Sequence, residues 1–185
     1  MALCVKENMN TIILTGPIGV GKTTQGKLLS QELGMPLCVY DEVKDKYRYK
    51  IGLSKEKALA INDEQGVYAM LCYMNEFKSR ILKPIVDDHQ SYIIDLGAGA
   101  HSFDEPHQVE RAQEAFDGIE DIFLLMPSKD LETNIKVLPG LKKGYEVNTF
   151  LIMHPTNELL TKKTIYTLNK TPNEVMVEII ESLNK

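Results

Sequence analysis

Five short apolar runs are spaced along the chain: "TIIL" at 11–14, "PLCVY" at 36–40, "SYIID" at 91–95, "DIFLLM" at 121–126 and "TIYTL" at 164–168. Longer stretches with helical character separate them. Short apolar runs alternating with helices predict an α/β fold, a parallel sheet of five strands with helices on both faces. One helix is bounded at both ends, since apolar residues recur at helical spacing from Lys22 to Leu33 and Gly34 ends them. Two further starts have capping-box spacing: Ser102-Phe103-Asp104-Glu105, and Thr171-Pro172-Asn173-Glu174 with Pro at the first helical position. Ser54 and Ser128 are candidate N-caps. The segment 138–148, "LPGLKKGYEVN", holds Pro139, Gly140 and Gly144 and is predicted to be a mobile loop, the candidate lid. No repeat or low-complexity linker divides the chain, so 1–185 reads as a single domain.

Composition narrows the classes. A chain of 185 residues, 43% apolar and 25% charged, is long enough for one sizeable core. Its formal charge of −5 argues against a nucleic-acid partner, and the longest basic stretches are the pairs Lys142-Lys143 and Lys162-Lys163. Small-molecule partners are expected. The opening "MALCVKENMN" lacks the apolar core of a signal peptide and no run approaches membrane-spanning length, so a cytoplasmic location without a membrane partner is expected. Cys4, Cys38 and Cys72 are isolated, which points to buried, reduced thiols rather than a disulfide framework or zinc ribbon. A monomer or homodimer is expected.

The chemistry begins directly after the first apolar run. "TGPIGVGKTT", Thr15 to Thr24, contains G-x-x-x-x-G-K-[ST] in Gly16, Gly21, Lys22 and Thr23. A strand before it and a helix after it are both legible, and that context stacks free backbone N–H groups and the helix's positive end on phosphates. The stretch Gly16, Pro17, Gly19, Val20, Gly21, Lys22, Thr23 and Thr24 is thus the candidate nucleotide cradle. Lys22 is expected to face the β- and γ-phosphates rather than the core, and the Thr23 hydroxyl to ligate Mg2+. Thr24 is placed nearer the α-phosphate.

In open α/β sheets ligands bind beyond the carboxyl ends of the strands. After the second run come Asp41 and Glu42; Asp41 reads either as the carboxylate that takes the proton of an acceptor hydroxyl or as a helix cap. Asp95 ends the third run as a Walker-B carboxylate does and is the second candidate ligand for Mg2+. Gly97-Ala98-Gly99-Ala100 then offers backbone N–H groups to a ligand; it is not a dinucleotide fingerprint, which would need Gly where Ser102 stands. His101, Asp104, Glu105 and His107 share this loop without metal-ligand spacing and read as a polar substrate rim or solvated loop. His89 and His154 carry no assignment.

Together the P-loop, the acid after strand two, the glycine turn after strand three, the lid after strand four and the ending "TIYTLNKTPNEVMVEII" resemble the P-loop kinases of the shikimate-kinase and nucleoside-monophosphate-kinase group. The resemblance spans nearly the whole chain, and only the P-loop is specific in its residues. It implies a three-layer P-loop NTPase fold with strand order 2-3-1-4-5, Asp41 at the acceptor hydroxyl, Gly97, Ala98 and Gly99 lining the acceptor pocket, and the loop from Asn169 through Thr171 flanking adenine. It also implies ATP and Mg2+ as cofactors and transfer of the γ-phosphate to a hydroxyl or phosphate of a small metabolite. The departures are Val39 and Asp41 in place of the paired acidic motif of shikimate kinases, Gly-Ala-Gly in place of their three glycines in a row, and the cations. Where shikimate kinases carry lid and pocket arginines, this lid has Lys142 and Lys143, and the chain's arginines are Arg48, Arg80 and Arg111. Ammonium groups do not copy the bidentate clamp of a guanidinium, which argues against shikimate or a second polyphosphate as acceptor. Arg48 and Arg80 are the candidate acceptor cations. A GTPase is disfavoured, because "NKTP" at 169–172 puts proline where guanine recognition needs aspartate. The remaining alternative is an ATP-binding or ATP-hydrolysing regulatory protein without transfer activity.

Overall fold

In the computed structural model, which describes residues 10–138 and 145–183, strand β1 (Ile12–Thr15) occupies the middle of a five-stranded sheet. β2 (Leu37–Val39), β3 (Ile93–Asp95), β4 (Asp121–Met126) and β5 (Lys163–Tyr166) complete it in the order β2-β3-β1-β4-β5. Every pairing is parallel. The expected order and class are therefore those observed.

Strand periodicity explains the two packed faces. Ile13, Ile94 and Ile122 point to one side, and Ile12, Leu14, Ile93, Phe123 and Leu125 to the other, because successive side chains alternate. The first face is covered by the long helix α4 (Val67–Asp88) and by α5 (Pro106–Phe116), through Ile81, Leu82, Ile85, Ala112, Ala115 and Phe116. The second is covered by α1 (Lys22–Leu33) and the C-terminal α9 (Pro172–Ser182), through Leu29, Val175 and Ile179. Each fully buried branched side chain contributes about 1.5–3 kcal/mol relative to exposure. Such burial holds the middle strands, and with them the strand ends, in place. Pro84 lies inside α4, yet Ile85 and Val86 beyond it stay in the core.

Several boundaries differ from the sequence reading. The second run stops being a strand at Val39, and Tyr40 already opens α2 (Tyr40–Lys50), so Asp41 is a first-turn residue and not the N-cap. Its carboxylate and that of Glu42 complement the helix's positive end. Ser102 caps nothing. Its N–H donates to Gly99 O within a turn, and α5 starts later, at Pro106 with Glu105 as N-cap. Ser128 is displaced as a cap by Asp130, which opens α6 (Leu131–Val137) by accepting the Thr133 N–H. Ser54, by contrast, accepts from Lys57 N–H at the start of α3 (Lys55–Gln65), and Thr171 with Glu174 forms a complete capping box. Of the candidate lid, Leu138 caps α6 and residues from Tyr145 onward are helical in α7 (Tyr145–Met153), so its last four residues are not loop. Lys142 and Lys143 lie outside the described residues. A short helix, α8 (Thr156–Leu160), leads back to β5. Cys38 is buried as expected, but Cys72 is exposed on α4; Cys4 lies outside the described residues. No described helix is long and apolar enough to cross a membrane.

Candidate active site

The carboxyl ends of β1, β2 and β3 bring the predicted groups to one edge of the sheet. Gly16 follows β1 at φ 142, and a Cβ there would sit 2.4 Å from Leu125 O, so glycine is demanded where the loop leaves the sheet. The loop then turns through Gly19 and Gly21, both at positive φ, into α1.

Lys22 is buried rather than projecting freely. Its Nζ donates to Gly16 O at 3.0 Å and Pro17 O at 2.8 Å, folding the amine back against its own loop. Burial lowers its pKa, while Asp95 and then Asp41 pull it upward, so both carboxylates act on this one ammonium. The Thr23 hydroxyl donates to Asp95 Oδ2 at 2.5 Å, and Asp95 Oδ1 accepts the Gly97 N–H at 3.2 Å. Asp95 is 2% exposed. Hydroxyl and carboxylate oxygens in contact beside the P-loop are the hard donor set that Mg2+ takes, so the residues fit the expected metal. Thr24 is exposed on the first turn of α1.

Asp41 reaches the same edge from β2. A Cβ on Gly97, at φ 73, would lie 3.1 Å from Asp41 Oδ2, so the carboxylate rests against the glycine turn, with Lys44 as its ion-pair partner. Ala98 and Gly99 continue the turn, Gly99 at φ 72. Arg48 lies one helical stretch further along α2, its side chain largely buried and beside Tyr40, whose hydroxyl burial pushes up to about 12. Arg80 does not join it. It sits over the Phe77 ring, and being two residues past Lys78 on α4 it points roughly 200° away from that side chain.

Lys78 was not legible in the sequence. It lies mid-helix, with no motif around it, yet its Nζ donates to Gly99 O at 3.0 Å and Ser102 O at 2.8 Å. Burial, reinforced by the Arg48 charge, pushes its pKa down to about 8. Among the described residues, Ser102 Oγ is buried at this turn with no hydrogen-bond partner.

His101 overturns the reading of 101–107 as a rim. It is 2% exposed, bridging Thr15 Oγ1 at 2.8 Å and Asn157 Oδ1 at 2.8 Å. Asn157 Nδ2 donates to Leu151 O and Ile152 O, so its Oδ1 accepts from His101 Nε2–H, and the bare Nδ1 accepts the Thr15 hydroxyl. Burial pushes the imidazole pKa down to about 4, leaving it neutral. Asp104, Glu105 and His107 are exposed as a solvated loop would be, and His107 pairs with Glu76. No His, Cys, Asp and Glu cluster of metal-site geometry occurs among the described residues.

On the far side of α1, Asn169 is exposed at φ 61, and Thr171 spends its hydroxyl on the α9 cap. Thr167 N–H and Leu168 N–H donate to Met126 O and Pro127 O, while Gln25 Nε2 donates to Pro172 O at 3.0 Å. These bonds bring the 169–172 loop beside the helix that follows the P-loop.

No protein-family model and no curated protein matches the chain. Solved structures do. Shikimate kinase from Bacteroides thetaiotaomicron superposes with a TM-score of 0.61 at 17% identity, covering 96% of this chain and 100% of that one. Shikimate kinase from Acinetobacter baumannii, in complex with shikimate, gives 0.59 at 17% identity over 95% and 93%. Dephospho-CoA kinase from Campylobacter jejuni gives 0.56 at 12% identity over 94% and 96%. What these share with this chain is the P-loop kinase fold.

Proposed function

We propose that this chain is a phosphotransferase that moves the γ-phosphoryl group of Mg-ATP to a hydroxyl or phosphate of a small metabolite. The observation that carries the reading is the P-loop with its Thr23 hydroxyl on Asp95, and Asp41 resting against the Gly97 turn at the same edge of the sheet. In this reading the N–H groups of Gly19, Val20, Gly21 and Lys22 hold the phosphates, and Lys22 exchanges its two loop carbonyls for phosphate oxygens. Thr23 and Asp95 hold Mg2+, which neutralises charge on the transferring group. Asp41 orients the acceptor hydroxyl against the 97–99 turn and takes its proton late in a loose transition state. Asn169 and the residues up to Thr171 flank the base. Lys142 and Lys143 of the candidate lid supply the cation that neutralises charge on the transferring phosphoryl group.

Arg48 and Lys78 gather positive charge beside the turn, which favours an acceptor that carries a carboxylate or phosphate as well as its hydroxyl. The second reading, a nucleotide-binding regulatory protein without transfer, draws on the shortage of guanidinium groups. Arg111 is tied to Glu76 and Ser79, and Arg80 points away from the turn.

One experiment separates the two. ADP release is followed with Mg-ATP and a panel of sugar acids and nucleoside monophosphates, set against neutral sugars, cyclitols and nucleosides, with Lys22→Ala as the blank. Acceptor-dependent release that Lys22→Ala abolishes is the expected result. Tight ATP binding with no acceptor-dependent release across the panel would favour the regulatory reading.

A further inference from the structure

The Asn148 side chain does for the P-loop what a neighbouring strand does for a sheet. Its Oδ1 accepts the Ile18 N–H at 2.9 Å, and its Nδ2 donates to Ile18 O at 3.1 Å and to Leu138 O at 3.2 Å. The residue is 2% exposed. Both amide donors and one acceptor site are thereby used, and both backbone groups of Ile18 are satisfied by one side chain. Ile18 stands between Pro17, whose carbonyl holds the Lys22 amine, and Gly19, where the loop turns at φ 83.

The helix carrying Asn148 is tied to the same loop a second time. Asn157 holds the α7 carbonyls of Leu151 and Ile152, His101 holds Asn157, and Thr15 at the root of the loop holds His101. One turn on from Asn148, on the same face of α7, Leu151 presses on the acceptor turn: its Cδ2 lies 2.9 Å from where a Cβ on Gly99 would be. One helix therefore touches the P-loop at Ile18, its root through two side chains, and the 97–99 turn directly.

We propose that Asn148 is a positioning residue of the P-loop, holding Ile18 so that the later loop N–H groups and Lys22 meet phosphate, and that it couples phosphate binding to α7. The proposal rests on the nucleotide reading above. It explains why a buried carboxamide is placed at this point of α7, where an apolar residue would pack without needing partners.

The molecule contains its own control. Asn134 Oδ1 accepts the Ser128 N–H at 2.7 Å and its Nδ2 donates to Ser128 O at 3.0 Å, the same pairing on the loop after β4. At 5% exposure it is almost as buried. Binding of Mg-ADP and of magnesium tripolyphosphate, which has neither base nor ribose, is measured by titration calorimetry for wild type, Asn148→Ala and Asn134→Ala, beside their melting temperatures. Both variants are expected to melt lower. Asn148→Ala should weaken tripolyphosphate and ADP about tenfold or more, and Asn134→Ala should change tripolyphosphate affinity less than about threefold. Equal weakening in the two variants, or wild-type affinity in Asn148→Ala, overturns the proposal.

If Asn148→Ala does not fold, hydrogen exchange on the wild type decides. Mg-ADP should slow exchange at the Ile18 amide and along α7, although α7 is not part of the phosphate cradle. Exchange along α7 that Mg-ADP leaves unaltered overturns the coupling. A wild type that binds neither ligand brings down the nucleotide reading and this role with it, an outcome distinct from failure of Asn148 alone.

Discussion

At the level of single residues, the two carboxylates whose charges act on Lys22 are distinguished by their surroundings. Asp95 is enclosed, with one oxygen on Thr23 and the other on the Gly97 N–H. Asp41 has an exposed side chain, paired with Lys44 and resting on the turn. A buried carboxylate locked to a P-loop hydroxyl is suited to a metal, and an open one beside a substrate-sized turn to a hydroxyl. Asp95→Asn is expected to weaken Mg-ATP binding and harm every nucleotide reaction, whereas Asp41→Asn should leave Mg-ATP binding almost unchanged and lower transfer by roughly a hundredfold or more. Calorimetry with Mg-ATP beside steady-state kinetics shows the split; equal loss of ATP affinity in both variants contradicts it. Both residues were legible because each ends an apolar run. Lys78 was not, since its partners are backbone carbonyls more than twenty residues away and no spacing rule connects them.

At the scale of elements, local chemistry was readable wherever the partners are close in sequence. Thr171 and Glu174 satisfy each other's backbone across three residues, and the pattern identified that helix start correctly. Ser102 and Glu105 have the same spacing and form no cap, because α5 begins only at Pro106 and the Ser102 backbone belongs to the glycine turn instead. The capping role of Thr171 has a measurable size. Thr171→Ala is expected to destabilise the fold by about 1 kcal/mol, lowering the melting temperature by about 2–4 °C in a chain of this length, with Thr171→Ser close to wild type. ADP affinity measured on the same variants checks whether the hydroxyl does more than cap. A drop in affinity without a drop in melting temperature would mean that the hydroxyl contacts nucleotide instead of stabilising α9.

At the scale of the whole molecule, His101 links the root of the P-loop to α8 and, through Asn157, to α7. Its pKa in the folded protein, about 4, lies below the ordinary histidine value of 6.5; burial is the main cause, the Asn157 hydrogen bond opposes it, and the charges of His154, Lys78 and Lys22 reinforce it. Between those values the unfolded chain binds a proton that the folded one refuses, so stability rises with pH across this window. The contribution is fully present above pH about 6.5 and is lost as pH falls toward 4, with a size on the order of 3 kcal/mol. Urea unfolding at intervals from pH 4 to 7 should show a steeper loss for wild type than for His101→Gln. The slope that remains in the variant includes His154, whose pKa burial also lowers. Parallel curves for the two proteins would mean that His101 accepts its proton in the folded state.

The sheet, its two buried faces, the P-loop motif and the acids that follow the second and third apolar runs could all be read from the amino-acid sequence alone. Each of these depends on residues that are neighbours, or on a periodicity that neighbours create: two for strands, 3.6 for helices, one loop for phosphate. The tertiary structure decided which polar groups are buried and what they hold. His101, Asn148, Asn157 and Lys78 carry no motif of their own, and their roles come from carbonyls and hydroxyls that the fold delivers from elsewhere in the chain. A buried polar side chain is tolerated only where such partners wait, and long-range partners leave no mark on the spacing of nearby residues.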